Sequence, residues 1–222
     1  MFPLKDTQPS YTRPVVTIGL IAVNLLVFLF EFSLDPQTRN ALIESFGLVP
    51  DQFAWTNVFT SMFLHGGWMH VLGNMWFLWI FGDNIEDLLG HGKFLLFYLA
   101  CGVAAAVAQV FVNRGSMVPM VGASGAIAGV MGAYLIKFPR SRVVTLVFFI
   151  FITVIEIPAP VMLVYWFVIQ FFSGVGSFAR THISEGGGTA FFAHVGGFLA
   201  GMLLAKILSP DRRYIRQSER YW

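Results

Sequence analysis

The charged residues of this chain fall in clusters. Between them run six stretches without a single Asp, Glu, Lys or Arg, at 14–30, 52–82, 94–113, 115–136, 157–179 and 186–205. An ionised side chain at the centre of a bilayer costs at least about 2.5 kcal/mol, so membrane spans avoid them. Each run can supply the roughly 17 to 25 residues that a helix needs to cross, and the 31-residue run 52–82 has room for a loop before its helix. The composition agrees, with 56% hydrophobic residues, 24 phenylalanines and only 12% charged residues, about half the charged share of a typical soluble domain. The spacing therefore predicts an all-α, polytopic membrane protein with six transmembrane helices. A seventh apolar run, 143–155, has 13 residues before Glu156-Ile157-Pro158-Ala159-Pro160. It is too short to cross and reads as an interfacial or re-entrant segment leading into span five.

Basic residues set the orientation. With both termini in the cytoplasm, that side receives eleven: Lys5, Arg13, Lys93, Lys137, Arg140, Arg142, Lys206, Arg212, Arg213, Arg216 and Arg220. The other side receives three, Arg39, Arg114 and Arg180, a strong positive-inside bias. If 143–155 also crossed, the basic C-terminus would lie outside. The formal charge of +2 gives no reason to expect a nucleic-acid partner, and the C-terminal arginines read as a membrane flank. The one cysteine, Cys101, lies in an apolar run and reads as core packing, with no disulfide framework and no cysteine-based zinc site. The exit from span one, Phe32-Ser33-Leu34-Asp35-Pro36, lacks the small-residue cleavage site of a signal peptide. The longest polar connection, about 35–52, reads as a loop on the outer interface. Residues 1–222 read as one integral-membrane domain with a core of about 15–208 and short cytoplasmic tails. Without a long presequence, the expected location is a prokaryotic plasma membrane.

The informative residues are polar ones inside spans. His70 and Asn74 are four apart and share one face near the start of span two. Ser124 lies near the start of span four, in Gly122-Ala123-Ser124-Gly125, and His194 near the start of span six, in Ala193-His194-Val195-Gly196-Gly197. All three spans begin outside, so four polar groups from distant segments meet at one depth. Singly, Ser124 reads as a small packing residue and the others as interhelical hydrogen-bond donors or a proton relay. Together they are the parts of a serine hydrolase: a nucleophile, a base that takes its proton, and donors for an oxyanion. No acid completes a triad, since Asp83, Glu86 and Asp87 lie at the inner end of span two and Glu31 and Glu185 on the outer flanks, so the expectation is a Ser124–His194 dyad without cofactor or metal. His194, Gly197 and Gly201 share a face of span six. Span six is thus expected to lie close against the glycine-rich span four, with glycine setting the distance between serine and histidine.

Three ordered motifs, His65-Gly66-Gly67-Trp68-Met69-His70-Val71-Leu72-Gly73-Asn74, Gly122-Ala123-Ser124-Gly125 and Ala193-His194-Val195-Gly196-Gly197 with Gly201, give a chain that resembles the rhomboid intramembrane serine proteases over nearly all of 15–208. The resemblance implies a six-helix bundle whose shorter fourth helix leaves a water-filled cavity above the serine. It implies Ser124 as nucleophile, His194 as general base, and His70 and Asn74 as oxyanion-hole donors beside the Ser124 amide, while His65 would help to hold the first outer loop. The substrates implied are transmembrane helices of other membrane proteins, met among membrane lipids. Trp166 and Phe167, near Gln170 in span five, resemble the family's lateral gate, with a lipid-facing surface as the plainer alternative.

Two positions depart from the family pattern. The first outer loop reads Trp55-Thr56 where many relatives have Trp-Arg, and Ala128 stands where some have a tyrosine packed against the catalytic histidine. His194 must therefore be steadied by something else. Two rival functions are a non-catalytic rhomboid-like protein that binds membrane clients, and a small transporter or channel. The first is disfavoured by the presence of both Ser124 and His194, the second by polar groups confined to one level.

Overall fold

The computed structural model describes residues 2–148, 152–180 and 190–209. Glu185 and the C-terminal arginines of the charge count lie outside these residues. Among the described residues eight α-helices are formed: α1 (Val15–Ser33), α2 (Pro36–Phe46), α3 (Trp55–Thr60), α4 (Trp68–Leu89), α5 (His91–Val112), α6 (Ser124–Lys137), α7 (Ala159–Arg180) and α8 (Phe191–Leu208). Helices α1, α5 and α8 are long and apolar enough to cross a membrane, while α6 and the described part of α7 are shorter apolar helices. Each charge-free run contains one long helix, and α4 begins late in its run, after α3 and a loop.

Helix α1 shows how the bundle suits an apolar solvent. Its Ile18, Leu26, Leu29 and Phe30 are exposed, whereas the polar Thr17, Asn24 and Glu31, spaced seven apart, are fully buried. Lipid favours that arrangement, because polar groups must find partners inside the protein. The first-turn N–H groups of a helix lack acceptors within it. Glu86 of α4 supplies them here, accepting from Val16 N–H at 2.8 Å and Thr17 N–H at 2.7 Å.

Helix α6 is the centre of the molecule, buried without interruption from Gly125 to Tyr134 and touched by α4, α5, α7 and α8. It meets α8 backbone to backbone. A Cβ on Gly197 would overlap the carbonyl oxygen of Gly125, and one on Gly201 would overlap that of Gly129. Helix α5 closes on the same seam, where a Cβ on Gly125 would come within 2.5 Å of the Ala105 Cβ. The glycine face expected of span six is thus the face that contacts span four.

The all-α expectation needs correction. A three-stranded antiparallel sheet, ordered β1 (Phe2–Asp6), β2 (Arg142–Phe148), β3 (Ile152–Pro158), joins the helices. The run 143–155, read from the sequence as an interfacial or re-entrant segment, supplies most of two antiparallel strands, β2 and β3. It returns to its starting end, where Ala159 N–H donates to the Ser141 carbonyl at 2.8 Å. The reason is local: Val143, Val144, Thr145 and Val147, then Thr153, Val154 and Ile155, are β-branched and fit a pleated strand better than a helix. The N-terminal tail supplies the third strand, pairing Phe2 with Leu146 and Asp6 with Val143. The 35–52 connection also differs from a plain loop. Asp35 caps α2 by accepting from the N–H groups of Gln37 and Thr38, and a 3₁₀ turn follows at Pro50–Gln52.

The sheet lies along the bundle and touches α4 on one side and α7 on the other. Trp76 of α4 donates its indole N–H to the Pro3 carbonyl at 2.7 Å, and the Phe2 and Trp76 rings lie 5.2 Å apart. Tyr134 of α6 donates its hydroxyl to the Asp6 carboxyl. Burial raises the Asp6 pKa from the ordinary 3.8 to about 7, opposed by the Tyr134 hydrogen bond and assisted by the nearby Asp83.

Two predictions follow from this packing. Gly201→Ala is expected to force α6 and α8 apart at a cost of roughly 1–3 kcal/mol or more, read as a lower apparent Tm in mild detergent; an unchanged Tm would show that the contact yields freely. The folded chain keeps the Asp6 proton at pH values where an unfolded chain has released it, so this residue makes stability fall as pH rises from about 4 to about 7, with no further change above. Asp6→Asn should flatten that part of the Tm–pH profile, and an unaltered slope would assign it elsewhere.

Candidate active site

The site begins with a turn that the sequence makes at Gly122. This residue has φ +121°, a region that side chains other than glycine rarely enter, and its N–H donates to the Ser61 carbonyl at 2.8 Å. A Cβ here would also come within 2.7 Å of the His70 ring and 3.5 Å of the Asn74 amide nitrogen. The turn therefore brings His70 and Asn74 against the backbone just before Ser124, the first residue of α6. A helix start leaves N–H groups without intrahelical acceptors and carries partial positive charge.

Ser124 Oγ lies 2.7 Å from His194 Nε2, across 70 residues of sequence. Ser124 is half-buried, and His194 is 7% exposed. On its other side, His194 Nδ1 lies 2.7 Å from the Gln170 side-chain oxygen. The ring centroid of Trp166, one turn earlier on α7, is 5.6 Å from that of His194. Trp166 and Gln170 thus flank the His194 ring. Phe167 packs on Phe198 with ring centroids 4.8 Å apart, so both α7 aromatics face α8 and are half-buried rather than purely lipid-facing.

The loop between α3 and α4 is held from beneath. Glu31 is fully buried in the last turn of α1, and its carboxylate accepts the His65 N–H at 3.3 Å. His65 Nδ1 lies 3.3 Å from the Phe63 carbonyl, and His65 Nε2 lies 3.0 Å from the Asn74 amide nitrogen. The consistent arrangement has Nδ1–H donating to Phe63 and Nε2 accepting from Asn74. The His65 and His70 rings meet edge to face at 5.1 Å. His65 thereby holds the Asn74 amide from one side while its nitrogen faces Gly122 on the other. All four residues singled out in the sequence come together, in a Ser124–His194 pair and a His70–Asn74 pair joined through the Gly122 turn.

Three contributors were missed. Gln170 meets the outer nitrogen of His194, Gln109 of α5 accepts the Ala193 N–H at 3.1 Å, and Glu31 holds His65. Each is a polar residue at or near an apolar run, the same signal that identified the other four. Among the described residues no group of three His, Cys, Asp or Glu is placed to hold a metal ion.

The profile of the rhomboid domain matches residues 52–211, which is most of the chain and includes Ser124, His194, His70 and Asn74. The chain belongs to the rhomboid family. Among its relatives, Rhomboid protease GluP of Bacillus subtilis is 35% identical over 128 residues, which are 55% of this chain and 24% of that protein. The human mitochondrial presenilin-associated rhomboid-like protein is 32% identical over 142 residues, 63% of this chain and 35% of that one. The putative rhomboid protease YdcA of Bacillus subtilis is 32% identical over 140 residues, 61% and 69%. This rhomboid thus spans about a quarter to a third of the length of the first two. Family membership and the apolar helices make it an integral membrane protein.

Gly122→Ala is expected to cost about 1–3 kcal/mol in backbone strain and to displace His70. The result should be a lower Tm together with slower reaction of Ser124 with a fluorophosphonate. Wild-type reactivity in this variant would show that the turn does not set the site.

Proposed function

We propose that this rhomboid is an intramembrane serine endopeptidase that hydrolyses peptide bonds in or near the transmembrane helices of other membrane proteins. The observation that carries the reading is the 2.7 Å contact between Ser124 Oγ and His194 Nε2. Ser124 attacks the scissile carbonyl carbon as His194 takes its proton. The negative oxygen that results is met by the Ser124 N–H, the Asn74 amide and the His70 ring, donors worth on the order of 10² to 10³ each in rate. His194 returns the proton to the leaving amine, then draws one from the water that releases the acyl group. A helical peptide bond is shielded by its own hydrogen bonds, so a substrate must unwind to reach the serine. The family resemblance and the relatives named as proteases support this reading.

In the proposed topology the long helices α1, α4, α5, α6, α7 and α8 all cross, the termini lie in the cytoplasm, and the site faces the outer side of a prokaryotic plasma membrane. The eleven-to-three distribution of basic residues supports that orientation. The second reading, a rhomboid-like protein that holds membrane clients without cutting them, predicts no activated serine.

A fluorescent fluorophosphonate separates the two readings without a known substrate. The purified wild type should label, and Ser124→Ala and His194→Ala should each lose labelling while retaining their Tm. A folded wild type that does not label, or a His194→Ala variant that still does, would remove the protease reading.

A further inference from the structure

A neutral imidazole has two tautomers, and only one can act as base toward Ser124. Nε2 faces the hydroxyl and must be bare to accept its proton, which leaves the ring proton on Nδ1. The partner of the outer nitrogen selects the tautomer, and in this rhomboid that partner is the Gln170 side-chain oxygen, 2.7 Å away. An amide oxygen only accepts, so it favours a proton on Nδ1.

We infer that Gln170 is a positioning residue that fixes His194 in its base-competent tautomer, giving the Ser124–His194 pair a neutral third member. The inference rests on the proteolytic reading of that pair. Gln170 and Trp166 are four apart on α7, so one helix face supplies both the acceptor for Nδ1 and the ring beside the imidazole. A neutral acceptor suits this depth, since a carboxylate in its place would bring the desolvation cost of a buried charge. The sign of the amide matters: with its NH₂ toward His194 it would donate to Nδ1, move the ring proton to Nε2 and silence the base. During the reaction the Nδ1–H···O bond persists, and Nε2 alone gains and returns the proton taken from Ser124.

The test is ¹⁵N spectroscopy of the His194 ring in histidine-labelled full-length protein, assigned by the signals missing from His194→Ala. It is paired with the second-order rate of fluorophosphonate labelling. Wild type should show a protonated Nδ1 and a bare Nε2. Gln170→Leu should shift the ring toward the other tautomer and slow labelling by about 10²-fold with Tm nearly unchanged, and Gln170→Glu, which keeps an acceptor, should restore the wild-type tautomer and much of the rate. A wild-type ring protonated on Nε2 overturns the inference, and this measurement needs no variant to fold. So does a Gln170→Leu variant that is slow but retains the wild-type tautomer, because the residue then acts by packing alone. A wild type with the expected tautomer that fails to label would instead defeat the proteolytic reading and leave the role of Gln170 on the ring intact.

Discussion

The backbone contact between α6 and α8 is the constraint on which the rest of this rhomboid depends. Ser124 and His194 are carried on different helices, and their approach depends on the separation of those helices, ordinarily 8–10 Å between axes. Gly197 and Gly201 remove the side chains that would enforce it, letting α8 rest on the carbonyl groups of Gly125 and Gly129. In lipid, where no hydrophobic effect drives helices together, such close packing is itself a main source of association. The same residues that hold the bundle together thus set the distance between serine and histidine.

Around that contact the polar groups form supports rather than isolated pairs. Glu31 holds the backbone of His65, His65 holds Asn74, and Asn74 faces the Gly122 turn from which α6 starts. At the opposite end, Glu86 accepts the first N–H groups of α1 and also the His91 ring nitrogen at 2.6 Å. Asp87 accepts from the Thr12 N–H and hydroxyl. The carboxylates of α4 that cannot serve the serine therefore anchor the segment entering α1. The buried carboxylates of Glu31 and Glu86 both accept backbone N–H groups, which is what low-dielectric surroundings require.

The long helices and the four central site residues were legible in the sequence because charge avoidance and intramembrane polarity are strong signals. The strands were not. A cut made at charges cannot distinguish a short helical run from a β-branched hairpin, and the partner that stabilises β2 lies some 140 residues away in Phe2–Asp6. Gln109 and Gln170 were passed over for a different reason. Glutamine is common as a neutral packing residue, and only the fold reveals that one meets the N-terminus of α8 and the other the outer nitrogen of His194. Glu31 was set aside only as a triad acid, and its hold on His65 is visible only where the loop after α3 folds back over it.

The pairing of β1 with β2 also sets an order of assembly. Phe2–Asp6 is made before α1, yet its partner strand is made only after α1, α4, α5 and α6. A chain emerging at a ribosome's pace, about 5–20 residues per second, must leave this strand unpaired for several seconds. The flank between α4 and α7 is therefore closed late, by a contact of the longest sequence separation in the molecule's sheet, and loop closure of that span is entropically the slowest kind. During that interval the half-built bundle presents an unfinished side to whatever chaperones or insertion factors stand beside it.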